Sequence, residues 1–258
     1  FIKSVLLSFG PINNATINAS YYGGFRNPNI DDIGKIFSKD DVNLVVPNTD
    51  LEPEYSNNFE ITFNYTASPL RLQVQLFNTQ ISNAINREYA VFSGADSVLY
   101  DGEMMRIQMN KNIERASING FSLSTDFAAS NHFLITANCN YLKGETGGGN
   151  PLAHIPPFNI KLALNYKLNQ HVFNFYAHYN AWKLARDYDE AGVDNLIEAT
   201  INGSPSWYCL NLEYTNKIDK KNAFILGIKN MLDAHYKTFG SAISASGRNF
   251  VVALHSSF

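Results

Sequence analysis

The sequence of 258 residues predicts an all-β fold, an antiparallel up-and-down transmembrane barrel with about 11 strands, the second half of a barrel of roughly 22 strands. Three observations predict it. Apolar and polar residues alternate along most segments, and the connections between those segments alternate between short and long. Aromatic residues reach 13%, yet no apolar run approaches the roughly 20 residues of a membrane-spanning helix.

The alternation has the period of a β-strand, in which successive side chains point to opposite faces. In the segment 207–214, for example, one face carries Tyr208, Leu210, Leu212 and Tyr214, while the other carries Trp207, Cys209, Asn211 and Glu213. The same criterion predicts eleven strands, at about 1–9, 15–25, 53–66, 70–83, 113–127, 132–143, 157–167, 171–185, 205–216, 222–230 and 248–258.

The lengths of the connections predict where the two ends of the barrel lie. The short connections are 10–14, 67–69, 128–131, 168–170 and 217–221, and the long ones are 26–52, 84–112, 144–156, 186–204 and 231–247. They alternate without exception. Outer-membrane barrels have tight periplasmic turns and long outer loops, which predicts this pattern.

The last strand indicates the orientation. Phe250 and Leu254 share its apolar face, and the sequence stops at Phe258. A terminal strand that ends in Phe resembles the assembly signal of outer-membrane barrels, and these three residues are the predicted signal. The alternative is that Phe258 is only a strand end. On the assembly interpretation the C-terminus is periplasmic and the long loops are extracellular.

Eleven is an odd number, whereas single-chain bacterial barrels have even counts. An open sheet in lipid would also leave backbone N–H and C=O groups unsatisfied at its edges. We therefore expect residues 1–258 to form the C-terminal part of a barrel whose first half and N-terminal region are absent here.

Four segments resemble motifs of one family, in the family's order. Residues 24–32 (GFRNPNIDD) and 47–54 (PNTDLEPE) resemble the FRAP and NPDL boxes of TonB-dependent outer-membrane receptors. Residues 227–233 (GIKNMLD) and 246–250 (SGRNF), with Tyr236 between them, are similar to the closing G-x-x-N-L-x-D…Y…P-G-R-x-F pattern. Asn27 and Ser246 depart from the usual small residue and proline.

The resemblance implies energised import of a scarce nutrient across the bacterial outer membrane. The ligand it implies is a small molecule: an iron chelate (ferric siderophore), haem or cobalamin, or in some branches a glycan or peptide. It also implies a plug and a TonB contact, both supplied by the missing N-terminal region, and contact with outer-membrane lipid. Haem importers often carry His between the two boxes; residues 29–46 contain none, although His154 and His235 lie in other loops.

Candidate ligand contacts follow from the predicted strand 171–185 and from the loops. Tyr176, His178 and Trp182 share its polar face, which leads to Arg186 and could contact a ligand. The alternative, which we favour, is polar packing against a plug. Two loop residues complete the predicted set, Arg26 and His154. A guanidinium such as that of Arg26 suits anionic ligands, but in this box it more often ties a loop to the barrel wall.

Other chemistry finds little support in the sequence. No catalytic motif, cofactor site or metal-ligand spacing is present, and the lack of a Lys/Arg cluster excludes nucleic acid as the expected partner. One predicted outer loop contains Asp187, Asp189, Glu190 and Asp194; this could be a divalent-cation site, but a solvated loop is the favoured interpretation. Cys139 and Cys209 are expected to point in different directions and to form no disulfide.

Two rival functions remain open. A passive porin-like channel would share the barrel but lack a plug. A soluble all-β binding module would need its apolar faces covered by a second layer. The deciding observation is therefore whether the rows of Leu, Phe and Tyr are buried against another layer or left on an outer surface.

Overall fold

A computed structural model describes residues 3–38 and 42–257. Within this part the strands are β1 Ser4–Ile12, β2 Ala15–Arg26, β3 Phe37–Ser38, β4 Asn43–Val46, β5 Glu54–Ala67, β6 Leu70–Tyr89, β7 Ser97–Tyr100, β8 Glu103–Ser130, β9 Phe133–Thr146, β10 Asn159–Leu168, β11 His171–Asn180, β12 Lys183–Leu184, β13 Gly203–Ser204, β14 Trp207–Lys217, β15 Asn222–Lys229 and β16 Asn249–Ser256. The helices are α1 Ile30–Ile33 and the 3₁₀ turns Ala185–Asp187 and Leu196–Glu198. None of these described helices is long and apolar enough to span a membrane.

Eleven strands form one antiparallel path, in the order β1-β2-β5-β6-β8-β9-β10-β11-β14-β15-β16. Each pairs with its predecessor along this path, which confirms the predicted up-and-down meander and its eleven strands. Among the described residues no pairing joins β1 to β16, so the sheet is not closed. Phe258, part of the predicted assembly signal, lies outside the described residues.

The alternation of connections is confirmed. The turns at one end are 13–14, 68–69, 131–132, 169–170 and 218–221, whereas the connections at the other end are 27–53, 90–102, 147–158, 181–206 and 230–248. Asn13 and Asn14 show why one turn is so tight, because both adopt positive φ values, 50° and 65°. Asn tolerates this conformation, which two-residue hairpin turns require.

The two faces of the sheet differ in chemistry and in exposure. On β14 the polar-face Asn211 is 7% exposed, whereas the apolar-face Tyr208 is 56% exposed. The apolar rows of the other path strands are open in the same way, and no second sheet or helical layer covers them in the described ranges. An outward apolar face argues against a soluble module and suits contact with lipid.

Aromatic rings form two bands on this apolar face. The band near the short turns contains Phe133, Tyr166, Phe173 and Tyr214, whose neighbouring ring centroids lie 5.0–6.4 Å apart. The band near the long connections contains Phe121, Tyr141, Tyr179 and Tyr208. Paired bands of this kind mark the two interfaces of a membrane-spanning strand.

The longest hairpin departs from the prediction. β6 has 20 residues and β8 has 28, so both continue far past the predicted limits of 83 and 113. Beyond the rim of the sheet, β4 pairs in parallel with β8 in the position that β9 occupies lower down. A small core stabilises this extension, formed by Leu44, Val46, Ala90, Met105 and Ile107.

The cysteines lie on opposite faces, as the alternation predicted. Cys209 is on the polar face beside His178, while Cys139 pairs with Ile160 on the apolar face. Both thiols are free.

Candidate functional site

Arg26 is held at the rim of the sheet by two carboxylates. Its Nε donates to Oε1 of Glu54 at 2.7 Å, and its Nη1 donates to Oδ2 of Asp32 at 2.6 Å. Asp32 also completes the N-terminal cap of α1 with Asn29. The Arg26 charge is therefore balanced by the protein itself, which favours its fastening role. Its predicted contact with a ligand stays a prediction.

The second box, residues 47–54, fastens the connection 27–53 to the long hairpin of β6 and β8. The Nδ2 of Asn48 donates to the Asn110 carbonyl at 2.8 Å, and the Nδ2 of Asn110 donates to the Asp32 carbonyl at 3.1 Å. The backbone N–H of Glu52 donates to Oδ1 of Asn112 at 2.8 Å. These contacts give both boxes a structural role: they hold the connection 27–53 against β8.

The closing motif, residues 227–233 and 246–250, fixes the last long connection, residues 230–248. The Oδ1 of Asn230 accepts from the N–H of Ala234 at 2.9 Å, and its Nδ2 donates to the carbonyls of Ala234 and Ser246 at 2.8 and 3.1 Å. The Oδ1 of Asp233 accepts from the N–H of Arg248 at 2.7 Å. Two side chains thus fix both ends of residues 230–248.

Gly247 packs closely against the Asp233 carboxylate in this arrangement. A Cβ at this position would lie 2.8 Å from Oδ1 of Asp233. We expect Gly247→Ala to break the Asp233–Arg248 bond and to raise amide hydrogen exchange in 230–248 roughly tenfold, equivalent to about 1.4 kcal/mol. Ser246→Ala is the matched control, because Ser246 contributes only its carbonyl; equal exchange in the two variants would contradict the prediction.

The polar face carries a cavity of about 430 Å³ below the long connections. Strands β9, β10, β11 and β14 and the connection 230–248 line it. Its polar and ionisable lining side chains are Thr136, Asn138, Lys161, Tyr176, His178, Cys209, Asn211 and Tyr236. None of these is a carboxylate, so the lining offers a cation and several hydrogen-bond donors. This group contains two of the predicted ligand contacts, Tyr176 and His178.

An aromatic stack lies beside this cavity. The Trp207 ring stacks on Tyr236 with centroids 4.1 Å apart, and the His178 ring meets it edge-on at 4.8 Å. Sequence reasoning missed Trp207 and Tyr236 as site residues. The available signal was the alternation itself, which placed a large aromatic ring on an otherwise polar face.

A charged network lies along the same face. The Nζ of Lys229 contacts the Tyr176 hydroxyl and lies 3.2 Å from Oε2 of Glu213. Three adjacent strands, β11, β14 and β15, supply these groups. Glu213 thus neutralises Lys229, whereas Lys161, the cation of the cavity lining, forms no ion pair with the part of the chain that the structure describes.

Trp182 and Arg186 do not belong to the polar wall, which is the face of β9, β10, β11 and β14 that lines this cavity. β11 ends at Asn180, where its register with β14 ends at Trp207, so the predicted strand to residue 185 is wrong. The Trp182 indole donates to the Asn202 carbonyl at 3.0 Å. The Arg186 side chain is exposed, and its nearest carboxylate is that of Asp187 at 3.9 Å. Their ligand contacts stay predictions.

The long connections interlock above the wall. Asp194 accepts from the N–H of His154 at 2.8 Å and lies 3.1 Å from its Nδ1. The Nζ of Lys183 donates to the Ile155 carbonyl, and Gln108 donates to the Ala191 carbonyl at 3.0 Å. The connection 181–206 is therefore tied both to the connection 147–158 and to β8. His154 acts in this tie, and its contact with a ligand stays a prediction.

The acidic cluster of the connection 181–206 is not simply a solvated loop. Asp189 and Asp194 are buried, although Asp187 and Glu190 are exposed. Burial raises the pKa of Asp194, against the opposing hydrogen bond from the His154 backbone. Within the described ranges, no three His, Cys, Asp or Glu side chains converge as they would to hold a metal ion.

A family model described as TonB dependent receptor-like, beta-barrel matches residues 2–231 of this sequence. The chain belongs to this family. Receptors of this family lie in the outer membrane and transport ligands, so the sheet of this chain is an outer-membrane β-barrel sheet. The polar face of this receptor barrel accordingly lines its interior, and the apolar face meets lipid.

Two curated relatives and one solved structure resemble this chain. The chain is 25% identical over 257 residues to the hemoglobin and hemoglobin-haptoglobin-binding protein A of Haemophilus influenzae, covering 92% of this chain and 23% of that protein. It is 23% identical over 254 residues to the probable hemoglobin and hemoglobin-haptoglobin-binding protein 4 of the same species, covering 92% and 25%. The siderophore receptor PirA from Acinetobacter baumannii superposes with a TM-score of 0.77 at 19% identity, covering all of this chain and 41% of that one. This receptor chain thus spans about a quarter of the curated relatives that it matches.

Proposed function

We propose that this chain is part of an outer-membrane receptor for TonB-energised import of an iron complex, either a ferric siderophore or haem. The observation that carries the proposal is the donor-rich cavity of the polar wall, which lies inside a receptor barrel and below five long connections. Lys161 and the neighbouring donors suit an oxygen-rich, anionic complex, because charge-assisted hydrogen bonds are stronger than neutral ones.

The rest of the receptor is part of the same proposal. We assign residues 1–258 to the second half of a barrel, whose first half, plug and TonB contact come from the remainder of a longer receptor. Among the residues that the structure describes, the eleven-stranded path has two unpaired edges, which supports this assignment. In this arrangement the long connections are extracellular, the C-terminus is periplasmic, and Phe250 and Leu254 on β16 belong to the assembly signal.

Haem is a specific candidate within this class. The two Haemophilus relatives are haemoglobin-binding proteins. His and Tyr are both side chains that hold haem iron, and His178 and Tyr236 line the same cavity. The stretch between the first two boxes, residues 29–46, contains no His. His178 and Tyr236 therefore supply candidate iron ligands elsewhere in the chain.

Uptake by the full-length receptor tests this function. Cells that express it should accumulate haemin or a ferric tris-catecholate only when TonB and a proton gradient are both present. Uptake that persists without them would rule out energised import. A steady single-channel conductance from the intact protein would instead favour the porin-like alternative.

A substitution of Lys161 tests whether the wall cavity binds the iron complex. Lys161→Met in the full-length receptor should weaken binding of the preferred iron complex about tenfold, the loss of one charged hydrogen bond of roughly 1.5 kcal/mol. Lys167→Met is the matched control, since Lys167 lies on the same face of β10 but near the short turns. Equal affinities of the two variants in equilibrium binding would contradict this use of the cavity.

A further inference from the structure

A second cavity, of about 510 Å³, lies among the outer connections. The end of β6, the middle of β8, the turn after β9 and residues 189–191 of the connection after β11 line it. It shares no lining residue with the wall cavity. The volume falls within the range of roughly 300–1,000 Å³ that small-molecule sites occupy.

The charge of this outer cavity is opposite to that of the wall. Four carboxylates line it, from Glu88, Glu114, Asp189 and Glu190, against the two guanidiniums of Arg87 and Arg115. Arg115 lies 3.7 Å from Glu114 and offsets it. Arg87 likewise offsets Asp189 electrostatically. Glu88 and Glu190 then leave the lining with an excess of negative charge, which favours a cationic ligand.

Two buried atoms in this lining lack hydrogen-bond partners. Asp189 is 5% exposed; its Oδ2 accepts from the Val193 N–H at 3.0 Å, but its Oδ1 has no hydrogen-bond partner. The buried Nε of Arg87, on β6, has none either. A buried polar group without a partner is unfavourable. One ligand that offers both a donor and an acceptor would satisfy both atoms.

We propose that the outer cavity binds a primary ammonium group carried near a carbonyl or carboxylate oxygen, as in lysine. The ammonium donates to Oδ1 of Asp189, with Glu88 and Glu190 adding negative charge nearby. The ligand oxygen accepts from Nε of Arg87. The same chemistry is offered by free lysine and by a lysine residue of a polypeptide.

Calorimetric titration of the detergent-solubilised full-length receptor distinguishes these sources. The probes are L-lysine and Nα-acetyl-lysine methylamide, with Nα-acetyl-norleucine methylamide as the uncharged control. Saturable binding of L-lysine alone indicates the free amino acid, and binding of the blocked lysine indicates a polypeptide side chain; both support the site. No saturable binding of either lysine probe, or equal binding of the norleucine probe, overturns it.

Substitutions locate the binding. Asp189→Asn should weaken lysine-probe binding at least tenfold, whereas Asp187→Asn, an exposed acid of the same connection that does not line the cavity, should leave it unchanged. Glu88→Gln provides a second variant if Asp189→Asn does not assemble, with an expected loss of about threefold. Wild-type affinity in assembled Asp189→Asn, or equal losses in Glu88→Gln and Asp187→Asn, contradicts the assignment.

Discussion

Leu164→Arg is expected to destabilise the receptor barrel by about 2–4 kcal/mol. Leu164 lies on the apolar face of β10, paired with Ile135 and Phe175 and set between the two aromatic bands. An arginine there must expose its charge to the hydrocarbon of the membrane or distort the bilayer around it. Urea titration of the full-length receptor folded in lipid vesicles, followed by tryptophan fluorescence, measures the loss.

The neighbouring residue provides the control for this prediction. Asn165 lies one position further along β10 and faces the polar interior. Asn165→Arg should therefore lower the free energy of unfolding by less than about 1 kcal/mol. If both variants were destabilised equally, the assignment of the two faces to lipid and interior would be wrong.

Asn230→Ala is expected to lower the free energy of unfolding by about 3 kcal/mol. Asn230 is 2% exposed, and its side chain makes three hydrogen bonds that fix the connection 230–248. Its φ is also 50°, a conformation that alanine adopts only with strain. The same urea titration, combined with hydrogen exchange in this connection, measures both the global and the local effect.

Asn230→Gly separates the two contributions. Glycine accepts the positive φ but offers no side-chain hydrogen bond. It should therefore recover roughly 1 kcal/mol relative to alanine, and the remaining loss is that of the hydrogen bonds. Full recovery in the glycine variant would show that the bonds to Ala234 and Ser246 contribute nothing.

The sheet could be predicted from the sequence because lipid imposes a simple rule on it. Every strand that faces hydrocarbon must alternate, so the face of each residue from Phe158 to Tyr166 follows from its position. Tight turns such as Asn13–Asn14 add a second local signal, since residues that tolerate positive φ stand between two alternating segments. The eleven-strand order needed no knowledge of distant contacts, because each strand pairs with its predecessor along the path.

The outer connections follow no such rule. Beyond the rim, β6 and β8 are covered by other loops rather than by lipid, so their extension lacks regular alternation. The burial of Asp189 and Asp194 depends on groups from other connections, including His154, which lies 40 residues away from Asp194 in sequence. Trp182 leaves the strand because its partner strand ends. These outcomes depend on tertiary contacts, which period and spacing do not encode.

Hydrogen bonds among residue 108, residues 154–155 and residues 181–194 couple these segments at the mouth of the barrel. Displacing residues 181–194 breaks bonds to both of the other segments, since Gln108 donates to Ala191 and Lys183 donates to Ile155. On the proposed orientation, we expect access to the wall to depend on one shared equilibrium of these segments rather than on independent ones. We expect a ligand that reaches the wall to shift that equilibrium, and we expect a mutation in any of these ties to alter the rate of capture without contacting the ligand.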